Sequence, residues 1–254
     1  MQPPDIVAVA QALLQARRTH RPADALLLAH HLTMAAEAYA VQALVDCERV
    51  GDAFPGHWKS GGPSRAAEAT HALLPAPGVW ASPAAAGGWP FTLRLIEVEI
   101  ALRLGQGVAP EQAAAITHDD ATALVDAMAV SIEIVDSRWQ QGVSAPALLK
   151  LADLQSHGAL VLGPWVPFAT RDWSAQACTV TIGAAPGMAY RGTHSMGDPA
   201  WVLPAWLRHA TRHGHTVPAG TVVTTGTWCG MLPAVAGDRV SARFDGIGEA
   251  VVQL

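Results

Sequence analysis

Leu93-Arg94-Leu95-Ile96-Glu97-Val98-Glu99-Ile100-Ala101-Leu102 sets two carboxylates inside an otherwise apolar run. Its Ile, Val and Leu content predicts a β-strand. Residues two apart in a strand point the same way. Ile96, Val98, Ile100 and Leu102 therefore form one face, while Glu97 and Glu99 share the other. A second run, Met128-Ala129-Val130-Ser131-Ile132-Glu133-Ile134-Val135, is built alike and carries Glu133. If the two strands pair, like charges crowd one face and repel unless a cation lies between them. Oxygen ligands without Cys or His suit Mg²⁺ or Mn²⁺. The same pattern also fits three glutamates on the wet face of a half-buried sheet, because exposed glutamate is common.

The chain has 254 residues, of which 50% are hydrophobic and 15% charged, enough for a sizeable core and too apolar for disorder. Net charge is −5 with no Lys/Arg run, which argues against a nucleic-acid partner. Three cysteines, Cys47, Cys178 and Cys229, form no CxxC pair and suggest a reducing compartment. Residues 1–18 lack the pattern of a signal peptide, and no uncharged apolar stretch is long enough to span a membrane. A cytoplasmic protein is expected.

Outward from the glutamate strands, residues 5–17 place Ile6, Val9, Ala10, Leu13 and Leu14 at helical spacing. Thr33 and Glu37 open a second helix, expected to run to about Val50 and stop at Gly51. Residues 51–62 read as a Gly-rich loop bearing Lys59, 63–74 as a short helix and 75–90 as loop. Helices are expected over 110–116 and 119–128, and strands over 159–162, 177–182 and 221–225. Asp198 caps a late helix with Pro199 at its first position. Residues 240–244 and 249–253 form a hairpin around Asp245-Gly246. This mixture predicts an α+β fold with helices on a β-rich core.

Two strings carry a resemblance: Ile96-Glu97-Val98-Glu99-Ile100-Ala101 and Glu133-Ile134-Val135-Asp136-Ser137-Arg138. They resemble the E-x-E and E-I-V-D-S-R signature of the fumarylacetoacetate hydrolase superfamily, in its 2-keto-4-pentenoate hydratase and 4-oxalocrotonate decarboxylase branch. Trp58-Lys59-Ser60-Gly61, Gly197-Asp198-Pro199 and Thr224-Thr225-Gly226-Thr227 extend the similarity over nearly the whole chain. The resemblance implies a mixed β-roll or sandwich with flanking helices. It divides the chain into an N-terminal helical segment with the lysine loop (1–75) and a β-rich metal-binding catalytic part (76–254), expected to form one structural unit.

The resemblance further implies that Glu97, Glu99 and Glu133 bind one Mg²⁺ or Mn²⁺ ion and that Lys59 is catalytic. Thr225, Gly226 and Thr227 would bind substrate. Arg138 either pairs with Asp136 or steers the anionic substrate. The implied reaction is hydration of a small 2-oxo or 2-hydroxy-dienoic acid to a 4-hydroxy-2-oxo acid, in breakdown of aromatic compounds, by a homo-oligomer. Decarboxylation of an oxalocrotonate-like acid, C–C hydrolysis of an acylpyruvate, and simple binding of a 2-oxo acid are the alternatives.

Two departures stand out. Gly78-Val79-Trp80-Ala81-Ser82-Pro83 lacks the acid of the family loop, and Asp153-Leu154-Gln155-Ser156 replaces a D-N-A-S-like string. Trp58, Trp80, Trp89 and His57 are candidates for a different pocket wall or for core. His209, His213 and His215 invite a zinc reading, but Ala210 stands where a metalloprotease needs glutamate.

Overall fold

The computed structural model describes residues 3–50 and 54–254, with 47–50 described by backbone alone. Helix α1 (Pro4–Thr19) buries Ile6, Val9, Ala10, Leu13 and Leu14, the face its spacing predicts. Helix α2 (Ala35–Val50) opens where the Glu37 carboxylate accepts from the Thr33 N–H and hydroxyl and from the Met34 N–H. Those donors would otherwise be orphaned at the helix start. The expected stop at Gly51 lies outside the described residues.

The strands run in the order β1 (His57–Gly61), β2 (Thr70–Leu73), β3 (Val79–Ala81), β4 (Ala84–Ala85), β5 (Leu95–Leu104), β6 (Val125–Val135) and β7 (His157–Leu162). The remainder are β8 (Val166–Pro167), β9 (Ala177–Ile182), β10 (Met188–Arg191), β11 (Val222–Thr224), β12 (Leu232–Pro233), β13 (Arg239–Phe244) and β14 (Gly248–Gln253). Between them lie helices α3 (Pro110–Ala115), α4 (His118–Ala123), α5 (Ala147–Ala152) and α6 (Leu203–Ala210). One mixed sheet has the order β2-β1-β11-β5-β6-β7-β3, with β12 beside β5 and β8 beside β6. A second sheet has the order β10-β9-β13-β14-β4. Among the described residues, no helix is long and apolar enough to cross a membrane.

The alternation that the glutamate strands predict orders the whole molecule. Ile96, Val98, Ile100 and Leu102 on β5 join Val130, Ile132 and Ile134 on β6 in one core with Val240, Ala242 and Val252 of the second sheet. Fully burying one such Val, Leu or Ile contributes roughly 1.5–3 kcal/mol. The sheets approach so closely that a Cβ on Gly163 would lie 2.6 Å from the Glu249 carbonyl oxygen. Helices α1, α2 and α5 form a second core of Leu13, Val41, Val45 and Leu149 around Trp139.

Four local expectations are corrected. Lys59 lies on strand β1 instead of a loop, because β1 pairs with β11 in parallel and with β2 in antiparallel fashion. Residues 63–74 end in strand β2 instead of forming a helix, since pairing to β1 overrides local propensity. The helix expected over 119–128 starts at His118, behind a Thr117–Asp120 capping box, and stops at Ala123, because β6 begins at Val125 to pair with β5. The 75–90 loop also contains β3 and β4.

Candidate functional site

Strands β5 and β6 are antiparallel, with Glu97 directly opposite Glu133 and Glu99 opposite Ser131. The strand pleat then sends all three glutamates to the face away from the isoleucine core. Ligand oxygens from Glu97, Glu99 and Glu133 lie within 4.8 Å of one another, the only such group among the described residues. Glu99 and Glu133 are buried, with 2% and 0% of their surface exposed. Three carboxylates this close, out of water, resist ionising together. Burial pushes the Glu97 carboxyl up to about 8, against relief by Lys59 and with added repulsion from Glu133 and Glu99. Burial and Glu133 push Glu99 up to about 7, against help from Lys59, the Thr224 hydroxyl and the Gly226 N–H.

Glu133 goes the other way. Burial acts upward on it, but Lys59 and His157 outweigh that and hold its carboxyl below the usual value. The Lys59 ammonium lies 2.6 Å from Glu133 Oε1, and His157 Nδ1 lies 3.1 Å from the same oxygen. Burial acts downward on Lys59, yet the attraction of Glu133, Glu97 and Glu99 raises its pKa. Burial keeps the His157 imidazole low and neutral despite Glu133. The Gln155 carbonyl accepts a further bond from Lys59 Nζ at 3.4 Å. That carbonyl is set by an unusual backbone: Leu154, Gln155 and Ser156 have φ of 53°, 55° and 58°. Three consecutive left-handed residues without glycine are strained, by roughly 1–2 kcal/mol each.

The segment after β11 divides by register. Thr224, not Thr225, turns to the glutamates: its hydroxyl donates to Glu99 Oε2 and shares a 2.9 Å bond with Ser131 Oγ. Thr225 is fully buried and donates to the Ile100 carbonyl at 2.7 Å. Gly226 has φ of 104°, a conformation that suits glycine, and with Thr227 it lines the cavity above the glutamates. Arg138 stands elsewhere. Its Nε donates to Asp153 Oδ1 at 2.6 Å, nearer than the 3.8 Å contact to Asp136 Oδ2, and it lines a different cavity.

The carboxylate cavity encloses about 550 Å³. Its floor is Glu97, Glu99 and Lys59; Val135, Leu148 and Leu151 supply an apolar wall, and Lys150 lies beside it. Trp58, Trp80, Trp89 and His57 are not among its lining residues. Trp58 is core, and Trp80 stacks edge-on to Trp89 at 5.2 Å. Ser82, in the segment that lacks the expected loop acid, accepts from the Val251 N–H of β14. His209 sits in an aromatic nest with Tyr39 and His71, and among the described residues the histidines do not join a group that could hold a metal ion. Sequence reasoning missed Thr224, His157, Gln155 and Lys150. Only Thr224 left a trace, through the alternation of β11 beside β5.

The donor set fits a divalent ion. Its atoms are all hard oxygens, and Glu133 Oε2 is buried without a hydrogen-bond partner. Burial, with repulsion among the carboxylates, pushes Glu97 and Glu99 upward, a cost that a bound cation would relieve. A two-sheet fold whose acid cluster can hold a divalent cation under a cavity of small-molecule size is therefore in place. The chain belongs to the fumarylacetoacetate hydrolase family: the model of the fumarylacetoacetate (FAA) hydrolase C-terminal region matches residues 63–254.

Among curated relatives, a 2-hydroxyhexa-2,4-dienoate hydratase of Comamonas testosteroni is 30% identical over 162 residues, 62% of this chain and 58% of that protein. The 2-keto-4-pentenoate hydratase 1 of Dechloromonas aromatica (strain RCB) is 31% identical over 156 residues, 60% of this chain and 57% of that protein. The match thus spans less than two thirds of those relatives' length. The fold is similar to that of 4-oxalocrotonate decarboxylase from Pseudomonas putida G7, solved with magnesium and adipate. The TM-score is 0.82 at 18% identity, over 100% of this chain and 98% of the other.

Proposed function

We propose that this chain is a divalent-metal-dependent hydro-lyase that hydrates 2-hydroxy-dienoic acids, through their 2-oxo tautomers, to 4-hydroxy-2-oxo acids. The observation that carries the reading is the convergence of Glu97, Glu99 and Glu133 upon Lys59. The hydratase names of its relatives support it. Glu97, Glu99 and Glu133 would hold Mg²⁺ or Mn²⁺. When bound, the ion supplies Lewis acidity and a template for a 2-oxo acid.

The chain's own residues supply the rest. Lys59 is held protonated by the glutamates around it, so it serves as proton donor and counter-charge to the substrate, not as a free base. His157 and the Gln155 carbonyl fix the ends of the Lys59–Glu133 pair, which keeps the ammonium over the cavity floor. Thr224 and the Gly226 N–H orient Glu99. Gly226 and Thr227 line the space beside the substrate head, where a residue without a side chain permits close approach. Val135, Leu148 and Leu151 take the carbon chain and exclude water from one side. Arg138 and Thr225 belong to the scaffold, since their polar atoms are engaged with Asp153 and Ile100.

The test is a spectrophotometric panel on the purified protein with Mg²⁺ or Mn²⁺: dienoate hydration, oxalocrotonate decarboxylation and acylpyruvate hydrolysis. Metal-dependent loss of dienoate absorbance, stopped by a chelator, is expected. Turnover of only the oxalocrotonate would replace hydration by decarboxylation, and inertness towards all three acids would sink the enzymatic reading.

A further inference from the structure

The carboxylate cavity is lined by a second ammonium that the proposed chemistry leaves unused. Lys150, in the last turn of α5, lines the cavity together with Glu97, Glu99 and Lys59. Lys59 is committed, bonded to Glu133 and to the Gln155 carbonyl. Among the described residues, Lys150 has one hydrogen-bond acceptor, the Val143 carbonyl at 2.8 Å, and no ion pair with a carboxylate. An ammonium carries three donors, so two remain to be satisfied from the cavity side or by water. The lining residues next to it in sequence, Val143, Ala147, Leu148 and Leu151, carry no charge.

A 2-oxo acid whose head lies at the glutamates runs its carbon chain past Leu148 and Leu151. An alkyl end would be set near an unmatched cation, whereas a terminal carboxylate would pair with it. We propose that Lys150 binds the distal carboxylate of the substrate, so that the site selects dicarboxylic 2-oxo or 2-hydroxy-dienoic acids over alkyl-ended ones. This rests on the 2-oxo-acid reading of the site. The volume of about 550 Å³ suits it, within the range of roughly 300–1,000 Å³ that small-molecule sites occupy. Lys150 is a specificity residue here: it touches the substrate's far end and none of the reacting atoms.

The experiment compares matched acids of equal chain length, one ending in a carboxylate and one in a methyl group, on the Mg²⁺-loaded enzyme. The wild type is expected to favour the diacid. In Lys150→Met, the ratio of kcat/KM for diacid over monoacid should fall about 10- to 100-fold, as for loss of a charge-assisted hydrogen bond, and the loss should lie in KM. Lys150→Arg should retain most of the preference, and Lys150→Glu should invert it. A ratio unchanged in Lys150→Met, or a wild type that favours the methyl-ended acid, would overturn the proposal. Calorimetric binding of 2-oxoadipate against 2-oxohexanoate separates this inference from the proposed reaction. If the wild type turns over neither dienoate but binds 2-oxoadipate more tightly, and Lys150→Met abolishes that preference, the lysine's role stands while hydration falls. Equal affinities in the wild type would refute the lysine's role whatever the reaction.

Discussion

Strand β1 turns Lys59 towards three glutamates, while Trp58 and Ser60, on its other face, look towards two histidines. Both clusters bury ionisable groups, and they resolve that problem in opposite ways. Around Lys59 charge is kept, because the ammonium and Glu133 satisfy one another. Around Ser60 charge is given up. Ser60 Oγ bonds His71 Nδ1 at 2.9 Å, and the His71 and His209 rings lie 4.6 Å apart. Burial, aided by Arg212, drives His71 down to about 3. Burial, then His71 and Arg212, drives His209 down to about 2. A neutral imidazole can stay buried as an aromatic, whereas three carboxylates, if all ionised, would outnumber the one ammonium. One cluster is complete as it stands, and the other can hold a divalent cation.

The largest effect should come from Glu97→Gln. If the cluster holds a catalytic ion, activity should fall more than about 100-fold, since even outer-shell partners of metal ligands cost 10–100-fold. The same change should raise the melting temperature of the metal-free protein, because it removes one of three repelling carboxylates. Added Mg²⁺ should erase or reverse that gain. Wild-type rates in the variant would return the glutamates to the role of a polar sheet face.

Lys59→Ala comes next. Removing one partner of a buried pair leaves Glu133 uncompensated, at a cost of about 3–5 kcal/mol in the metal-free protein. A divalent ion should recover part of that loss, while turnover stays down by about 100-fold or more, as for loss of a positioned proton donor. Lys59→Arg should rescue poorly, because a planar fork does not replace a compact ammonium. Denaturant titrations with and without Mg²⁺, beside steady-state kinetics, decide it. A stability change within about 0.5 kcal/mol would mean that the pair carries no burial cost.

The charged cluster was far more legible in sequence than the neutral one. The alternation Ile96-Glu97-Val98-Glu99-Ile100 fixes which residues face the core, and the matching run through Glu133 supplies the third carboxylate. Only the resemblance singles out Lys59, which lies on strand β1 and not in the expected loop. A five-residue strand ending in Gly61 has no period of its own; its partner in β11 is some 160 residues away. Thr224 and Thr225 show how little separates success from failure, since a slip of one residue exchanges the two faces of a strand. The left-handed run at Leu154–Gln155–Ser156 gave no sign, because those residue types do not announce positive φ. The histidine nest was unreadable for another reason: Tyr39, His71 and His209 come from three distant segments that only tertiary folding joins.

That nest makes its own prediction. Both histidines are neutral in the fold but protonate near pH 6.5 when unfolded, so below that pH the unfolded chain binds more protons. Their stabilising contribution is complete above about pH 6.5 and is lost as pH falls from there towards the folded values. Each can contribute a slope of up to about 1.4 kcal/mol per pH unit. His209→Phe keeps the ring contacts and removes the proton site; His209 Nε2 has no hydrogen-bond partner to lose. Between pH 6.5 and 5.5 the variant should lose about 1 kcal/mol less than the wild type. Parallel slopes in urea titrations at these pH values would mean that His209 is solvated.

The smallest expected effect tests whether burial is what separates the two clusters from ordinary ion pairs. Strands β5 and β6 also carry Arg103 and Asp126, joined by two bonds of 2.9 and 2.8 Å. Their side chains are 35% and 43% exposed, against 11% and 0% for Lys59 and Glu133. Geometry is good in both pairs, so they differ chiefly in access to water. A double-mutant cycle with Arg103→Met and Asp126→Asn should give a coupling of about 0.2–1 kcal/mol. It should shrink as salt rises from 0.05 to 0.5 M, because exposed charges are screened beyond a Debye length of roughly 10 Å or less. The parallel cycle with Lys59→Met and Glu133→Gln, in metal-free protein, should give a larger coupling that salt leaves nearly unchanged. Equal couplings, or equal salt dependence, would show that water reaches the glutamate cluster as freely as it reaches Arg103 and Asp126. The excess negative charge would then need no cation to hold it.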